Sequence, residues 1–307
     1  MIPEFPEFKI LELSDRRDVE KFTLKYPPYS DFNFLGTWSW DVRDQMKISR
    51  LNDNYVIRFV SYLTGKPFYT FLGNNQVNDT VKKLLDLSVK EKLAPELKLI
   101  SEESIRGLDL SLFKIEEDRD NFDYVYDLEE LKDYKGKKFE KKRSEVKNFL
   151  KNYSKIETKP LDLGDKNIQE KIVKIYQKWA KYRIEENREK NIDFDPHHEL
   201  VVIKKLFSVC KEFSLVSVGI FVKNDLAAFC IDELMESEYA VSHVAKTDPS
   251  FSGINSFLMQ KSAEILYSYG KRYFDYEQDL GLSNLRLGKT LFRPCFLLKK
   301  YNLSPWC

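Results

Sequence analysis

The sequence predicts an α+β fold, and three observations lead there. Downstream of residue 130, hydrophobic periodicity runs helix, helix, three-stranded meander, glycine-containing loop, helix and strand, an α+β unit of about 180 residues. Upstream, two β-rich runs, a helix and a short strand follow one another. Between them the composition inverts. Residues 116–130 hold eight acidic side chains and one arginine, whereas 135–151 hold eight basic side chains and two glutamates. With 307 residues, about two domains are expected, and the junction is placed just before residue 130.

In chain order, Tyr55–Val60 and Lys66–Gly73 read as strands joined by a turn at Thr64-Gly65. Residues 79–92 read as a helix capped by Asp79 or Asn78, with Val81, Leu84, Leu85 and Leu87 on its apolar side. Leu97–Ile100 is a short strand. The run 134–151 places Phe139, Val146, Phe149 and Leu150 on one helical face, leaving its cations to the others. Asn167–Asn187 carries Ile168, Ile172, Ile175, Tyr176 and Trp179 at helical spacing. A second helix, 197–213, opens with Pro196 in its first turn. Leu215–Val222 and Leu226–Glu233 flank the hairpin signal Lys223-Asn224-Asp225, and Glu238–Lys246 is the third strand. The loop 247–253, the amphipathic helix from Ile254 and a strand running into Glu277 complete the unit.

Composition narrows the function. Fifty basic residues against 49 acidic ones leave no global field, so nucleic-acid binding requires a local patch. Cys210, Cys230, Cys295 and Cys307 lack the spacings of zinc or redox sites, and three histidines are too scattered for a metal centre, so no metal is expected. Without a signal-peptide pattern or a long apolar run, a cytoplasmic chain with no transmembrane segment is expected.

The densest chemistry lies in Tyr276-Glu277-Gln278-Asp279-Leu280-Gly281 and Leu285-Arg286-Leu287-Gly288-Lys289. On a strand, Asp275, Glu277 and Asp279 share a face and repel one another unless cations neutralise them. Arg286 and Lys289, three apart on a following helix, supply such charge. The alternative is a solvated strand edge with a structural ion pair. Lys137, Lys138, Lys141 and Arg143, beside Lys142, form a second cluster suited to phosphates, or else a solvated helix face paired with the acidic run. His243 is a secondary candidate base, with a structural hydrogen bond as the alternative. Trp38, Trp40, Phe32 and Phe34 suit a core more than a groove.

The downstream order of elements resembles a GCN5-related N-acetyltransferase (GNAT) domain. The resemblance implies that the loop Asp248–Asn255 sets backbone amides against a donor's phosphates, which makes Ser252, Gly253 and Asn255 donor-binding candidates. The loop has a single glycine where acetyl-CoA loops carry more. More of the chain resembles the C-terminal domain of phosphatidylglycerol lysyltransferases. The matching pieces are Asp31-Phe32-Asn33-Phe34, Asp123-Tyr124-Val125-Tyr126-Asp127-Leu128, Gly136–Arg143, Glu277–Lys289, Arg293-Pro294 and Lys299-Lys300-Tyr301.

That family implies two tandem GNAT-like domains with mixed, mostly antiparallel sheets flanked by helices: a degenerate 1–125 and a catalytic 126–307. It further implies a soluble acyltransferase moving an aminoacyl group from aminoacyl-tRNA to an amine or hydroxyl, in a lipid headgroup or a small molecule, with a peripheral membrane position left open. Asp279 and Arg286 then grip the aminoacyl end, Glu277 is a general base and Lys289 a charge stabiliser. An acyl-CoA donor and a catalytically silent tRNA-binding module are the rival readings, and no permanently bound cofactor is implied. The oligomeric state is not legible.

Overall fold

A computed structural model describes residues 1–61, 64–189 and 196–306. In chain order the elements are β1 (Lys9–Ile10), α1 (Arg16–Thr23), α2 (Phe34–Trp40), β2 (Lys47–Leu51), β3 (Asn54–Val60), β4 (Pro67–Leu72), α3 (Val77–Lys90), β5 (Leu97–Ser101), α4 (Glu102–Ile105) and β6 (Phe113–Glu117). Then follow β7 (Asp123–Asp127), α5 (Leu128–Leu131), α6 (Glu140–Asn152), β8 (Ile156–Pro160), α7 (Lys166–Glu189), α8 (Pro196–Ser208), β9 (Leu215–Val222), β10 (Asp225–Leu234), β11 (Tyr239–Thr247), α9 (Ile254–Ser268), β12 (Tyr273–Asp275), α10 (Ser283–Thr290) and a C-terminal strand, Lys300–Pro305. The architecture is α+β, with two mixed sheets flanked by helices.

The chain divides into two compact units. One comprises Met1–Tyr124, Glu277–Leu287 and Phe296–Cys307; the other comprises Val125–Tyr276 and Gly288–Cys295. In the first, the sheet order is β1-β2-β3-β4-β5, then the C-terminal strand, then β6. β2, β3 and β4 form an antiparallel meander, α3 crosses over, and β5 returns parallel to β4. Val77, Val81, Leu84 and Leu85 of α3 join a core with Val56, Tyr69, Phe71, Leu97 and Ile100. Leu303 of the C-terminal strand is fully buried in that core, and Lys300 pairs with Ser101 of β5. Its apolar side chain and both its ladders explain why the tail groups with the N-terminal residues.

The second unit repeats the plan. β9, β10 and β11 form an antiparallel meander, α9 crosses over, and β12 returns parallel to β11. β7 pairs with β12 and β8 with β9. The hairpin turn at Lys223-Asn224 has φ of 52° and 73°, the left-handed pair that a two-residue turn requires.

Several local expectations are corrected. α3 begins at Val77, with Gln76 rather than Asn78 or Asp79 at its N-cap; the Asp79 carboxylate instead accepts from Asn52 at 2.9 Å and pairs with Lys83 at 2.7 Å. α8 stops at Ser208, short of Phe213. Phe139, Val146 and Phe149 are buried as the periodicity requires, but Leu150 is exposed, and Lys142 takes the inward position. Its stem covers apolar surface while its ammonium sits 4.1 Å above the Phe292 ring. Phe32 and Phe34 are core residues, with Trp38 and Trp40 half-buried. Among the described residues, no helix is long and apolar enough to cross a membrane.

Candidate functional site

The first unit's site is a turn. β12 ends at Asp275, so Asp275, Glu277 and Asp279 do not share a strand face. The backbone turns left-handed at Glu277 (φ 56°), Leu280 (φ 54°) and Gly281 (φ 73°). For glutamate and leucine this costs roughly 1–2 kcal/mol each. A Cβ at Gly281 would stand 2.8 Å from the exposed end of the Asp120 side chain, which can shift, so it is the φ of 73° that favours glycine there.

This turn directs Asp279 inward, where it is fully buried and surrounded by donors. Arg286 holds it bidentately, Nε to Oδ2 at 2.9 Å and Nη2 to Oδ1 at 2.8 Å. Tyr124 donates its hydroxyl at 2.6 Å, Arg119 Nη1 approaches to 3.3 Å, and the Gly281 amide donates at 2.9 Å. Five donors saturate a carboxylate with about four lone-pair sites. Burial alone would raise this carboxyl, but the hydrogen bonds from Arg286 and Tyr124 outweigh it and hold it below the ordinary range. Arg286 also reaches Asp120 at 2.6 Å, and its pKa is raised by the Asp279 and Asp120 hydrogen bonds. Both guanidiniums remain more than a third exposed, so the site offers cationic edges on a buried anionic anchor. Glu277 is half-buried, and its carbonyl accepts the Tyr124 amide at 3.1 Å.

In the second unit, Lys289 is buried; its ammonium donates to the Tyr276 carbonyl and lies 4.8 Å from that ring. Lys289 thus belongs to a different unit from Asp279 and Arg286. His243 is the extra residue where the β10–β11 register shifts, a β-bulge. That bulge sets Nε2 3.2 Å from Glu233 Oε2, with the imidazole enclosed. Cys230 is a buried free thiol, pushed well up by burial.

The loop before α9 is closed upon itself. The Ser250 amide donates to Asp248 Oδ1 (3.0 Å), Phe251 to the Asp248 carbonyl (3.2 Å), Ser252 to the Tyr153 hydroxyl (3.2 Å) and Ile254 to the Phe251 carbonyl (3.3 Å). Gly253 is left-handed (φ 86°) and lies so close to α6 that a Cβ would meet the Glu145 carbonyl at 2.5 Å. Ser256 on the first turn of α9 donates to the Glu145 carboxylate at 2.5 Å, which Lys142 also reaches at 3.0 Å. Burial would raise Glu145; Ser256 and Lys142 outweigh it and keep the carboxyl below its usual range. An internal anion therefore stands beside this helix N-terminus. Asn255 is exposed.

The predicted cations divide by engagement. Arg143 donates to the Tyr134 and Gly136 carbonyls at 2.5 and 2.6 Å, and Lys138 pairs with Glu130 at 2.6 Å. Lys137 precedes α6 and is exposed. Lys141, Lys147 and Lys151 are exposed on the side of α6 opposite Lys142, Val146 and Phe149. Sequence reasoning missed Arg119, Tyr124, Glu145, Tyr153 and Glu233. Two of them carried a signal: Arg119 is the one cation within the acidic run, and Tyr124 lies in the piece Asp123–Leu128 that resembles the family.

Comparison with known proteins agrees with this fold. A conserved protein of unknown function from Bacteroides thetaiotaomicron superposes with a TM-score of 0.81 at 24% identity, covering 100% of both chains. The C-terminal DUF2156 domain from Agrobacterium fabrum gives 0.63 at 12% identity, over 94% of this chain and 92% of that one. The L-PGS structure from Bacillus licheniformis gives 0.58 at 13% identity, over 99% and 94%. At these identities the likeness concerns the fold. An uncharacterized protein of Mycoplasmoides gallisepticum is 20% identical over 219 residues, which is 69% of this chain and 67% of that protein. Residues 26–304 match the family model described as phosphatidylglycerol lysyltransferase, C-terminal. The chain therefore belongs to the phosphatidylglycerol lysyltransferase C-terminal family, an acyltransferase family.

Proposed function

We propose that this protein is an aminoacyl-tRNA-dependent transferase of tandem GNAT-like construction, passing an aminoacyl group to an amine or hydroxyl acceptor. The observation that carries this reading is the closed loop before α9. A coenzyme A donor needs free amides there for its phosphates, yet three are bonded within the loop, a fourth donates to the Tyr153 hydroxyl, and Glu145 supplies negative charge beside Ser256. Phosphate recognition then falls to side chains. Lys137, Lys141, Lys147 and Lys151 face solvent along one side of the second unit, from Lys141 to Lys151 about 15 Å of helix. That reach suits a polynucleotide backbone better than a single pyrophosphate.

In this reading the acceptor nitrogen or oxygen forms a bond to the ester carbonyl, the bond to the tRNA ribose oxygen breaks, and the acceptor's proton goes to that leaving oxygen. Arg286 and Arg119 supply positive charge for the oxyanion or the terminal phosphate, oriented by Asp279. Asp279 is too fully bonded to bind an ammonium as well, so it acts here as an anchor for the two arginines. Glu277, half-buried on the same turn, is the candidate base. His243, enclosed with Glu233, holds its bulge.

The test is direct. Purified protein is incubated with a mixture of charged tRNAs, or with acetyl-CoA, and a cell extract is added as the source of acceptor. Discharge of aminoacyl-tRNA alone supports the proposal, discharge of acetyl-CoA replaces the donor, and salt-sensitive tRNA binding without discharge leaves a binding module.

A further inference from the structure

Beside the Asp279 turn lies a buried charge cluster drawn from four distant parts of the chain. Lys300 on the C-terminal strand donates to Asp31, to Asp123 Oδ1 at 2.8 Å and to Ser30 Oγ at 3.1 Å. Lys300 and Asp123 are 0% exposed and Asp31 2%. The Ser30 amide donates to Asp123 Oδ2 at 3.0 Å, and the Ser30 hydroxyl lies 2.6 Å from both Asp123 Oδ1 and Gln278 Oε1. The Ser30 hydroxyl is thus shared between Asp123 and Gln278 while it accepts from Lys300.

The pattern of neighbours gives this cluster its meaning. Asp123 and Tyr124 are consecutive, as are Gln278 and Asp279. The first member of each pair joins the Lys300 cluster, and the second joins the Arg286 cluster. The Tyr124 amide further donates to the Glu277 carbonyl. Gln278 is thus tied down between left-handed Glu277 and left-handed Leu280. Strained backbone persists only where its surroundings over-determine it. One ammonium with two carboxylates is also a poor way merely to stabilise a sheet, since apolar residues of like volume do that as well or better.

We propose that Lys300 is a positioning residue. Acting through Asp123, Ser30 and Gln278, it holds the Glu277–Gly281 turn in its strained form, so that Asp279 meets Arg286 and Tyr124. The turn's functional weight rests on the transfer reading above, but the positioning does not, and the readout keeps the two apart.

Hydrogen exchange is followed by mass spectrometry on the full chain for the parent, Ser30→Ala, Lys300→Met and Lys300→Arg. In Ser30→Ala and Lys300→Met, peptides spanning 277–287 should exchange at least tenfold faster, while β3 and β10 peptides keep the parent rate. Lys300→Arg, which keeps the charge, should restore part of the protection. Unchanged exchange at 277–287 in Ser30→Ala, or equal acceleration in β3, overturns the proposal. Should Lys300→Met fail to fold, Ser30→Ala decides alone, because it leaves Lys300 paired with both carboxylates. Selective loosening in a parent that discharges no aminoacyl-tRNA upholds the positioning and removes the transfer reading.

Discussion

Arg286 and Asp279 meet fork to fork, at 2.9 and 2.8 Å, with the carboxylate fully buried and the guanidinium partly in water. Such a pair keeps positive charge at the surface while fixing its direction from below, which is what electrostatic stabilisation of a reacting carbonyl demands.

Arg286→Lys keeps the charge but loses the fork, because an ammonium cannot make two parallel bonds. Aminoacyl-tRNA discharge should fall at least tenfold, with the melting temperature lowered by only a few degrees. Activity within twofold of the parent would remove the guanidinium from the reaction.

Asp232, buried on β10, has its carboxyl pushed up to about 6 by desolvation, with the Ser262 hydroxyl only partly offsetting this. A carboxyl raised above its unfolded value of about 3.9 favours the folded state while protonated. Its contribution is whole below about pH 4 and is lost as pH rises toward 6. A shift of roughly two pH units corresponds to ~3 kcal/mol. Asp232→Asn does not titrate, so relative to the parent it should gain about that much more at pH 8 than at pH 4. Urea unfolding at the two pH values measures this, and a difference independent of pH would contradict it.

Gly253→Ala meets both a left-handed φ and the Glu145 carbonyl at 2.5 Å, whereas Gly270→Ala meets only the φ of 79°, with nothing within 4 Å. The first should cost about 3 kcal/mol or more and the second about 1. Equal losses in urea unfolding would show that α6 does not press on this loop.

Lys137→Ala and Lys141→Ala should each weaken tRNA binding and reduce the slope of log affinity against log salt by roughly one. Arg143→Ala, by uncapping the Tyr134 and Gly136 carbonyls, should instead show mainly in stability. Filter binding across a salt series separates the two effects. In the same preparation, acetyl-CoA should produce no thermal shift.

The α+β class, the meander-helix-strand order of the second unit and the family were legible in the sequence by itself. Those features rest on local periodicity and on motifs that neighbouring residues spell out, such as Gly136–Arg143 and Glu277–Lys289. Helical spacing also read Lys137, Lys138, Lys141, Lys142 and Arg143 as a cationic face, of which Lys142 turns inward.

Only the tertiary structure decided which charges meet. Asp279 finds Arg286 seven residues away, but also Tyr124 and Arg119 across more than 150 positions, and Lys300 finds Asp31 and Asp123. Glu277 reads as strand in the sequence yet adopts a left-handed turn, and Lys142 reads as a solvated cation yet is buried over Phe292. In each case a long-range hydrogen bond or apolar contact outweighs a local preference worth roughly 1–2 kcal/mol at most, and such contacts leave no periodic trace along the chain.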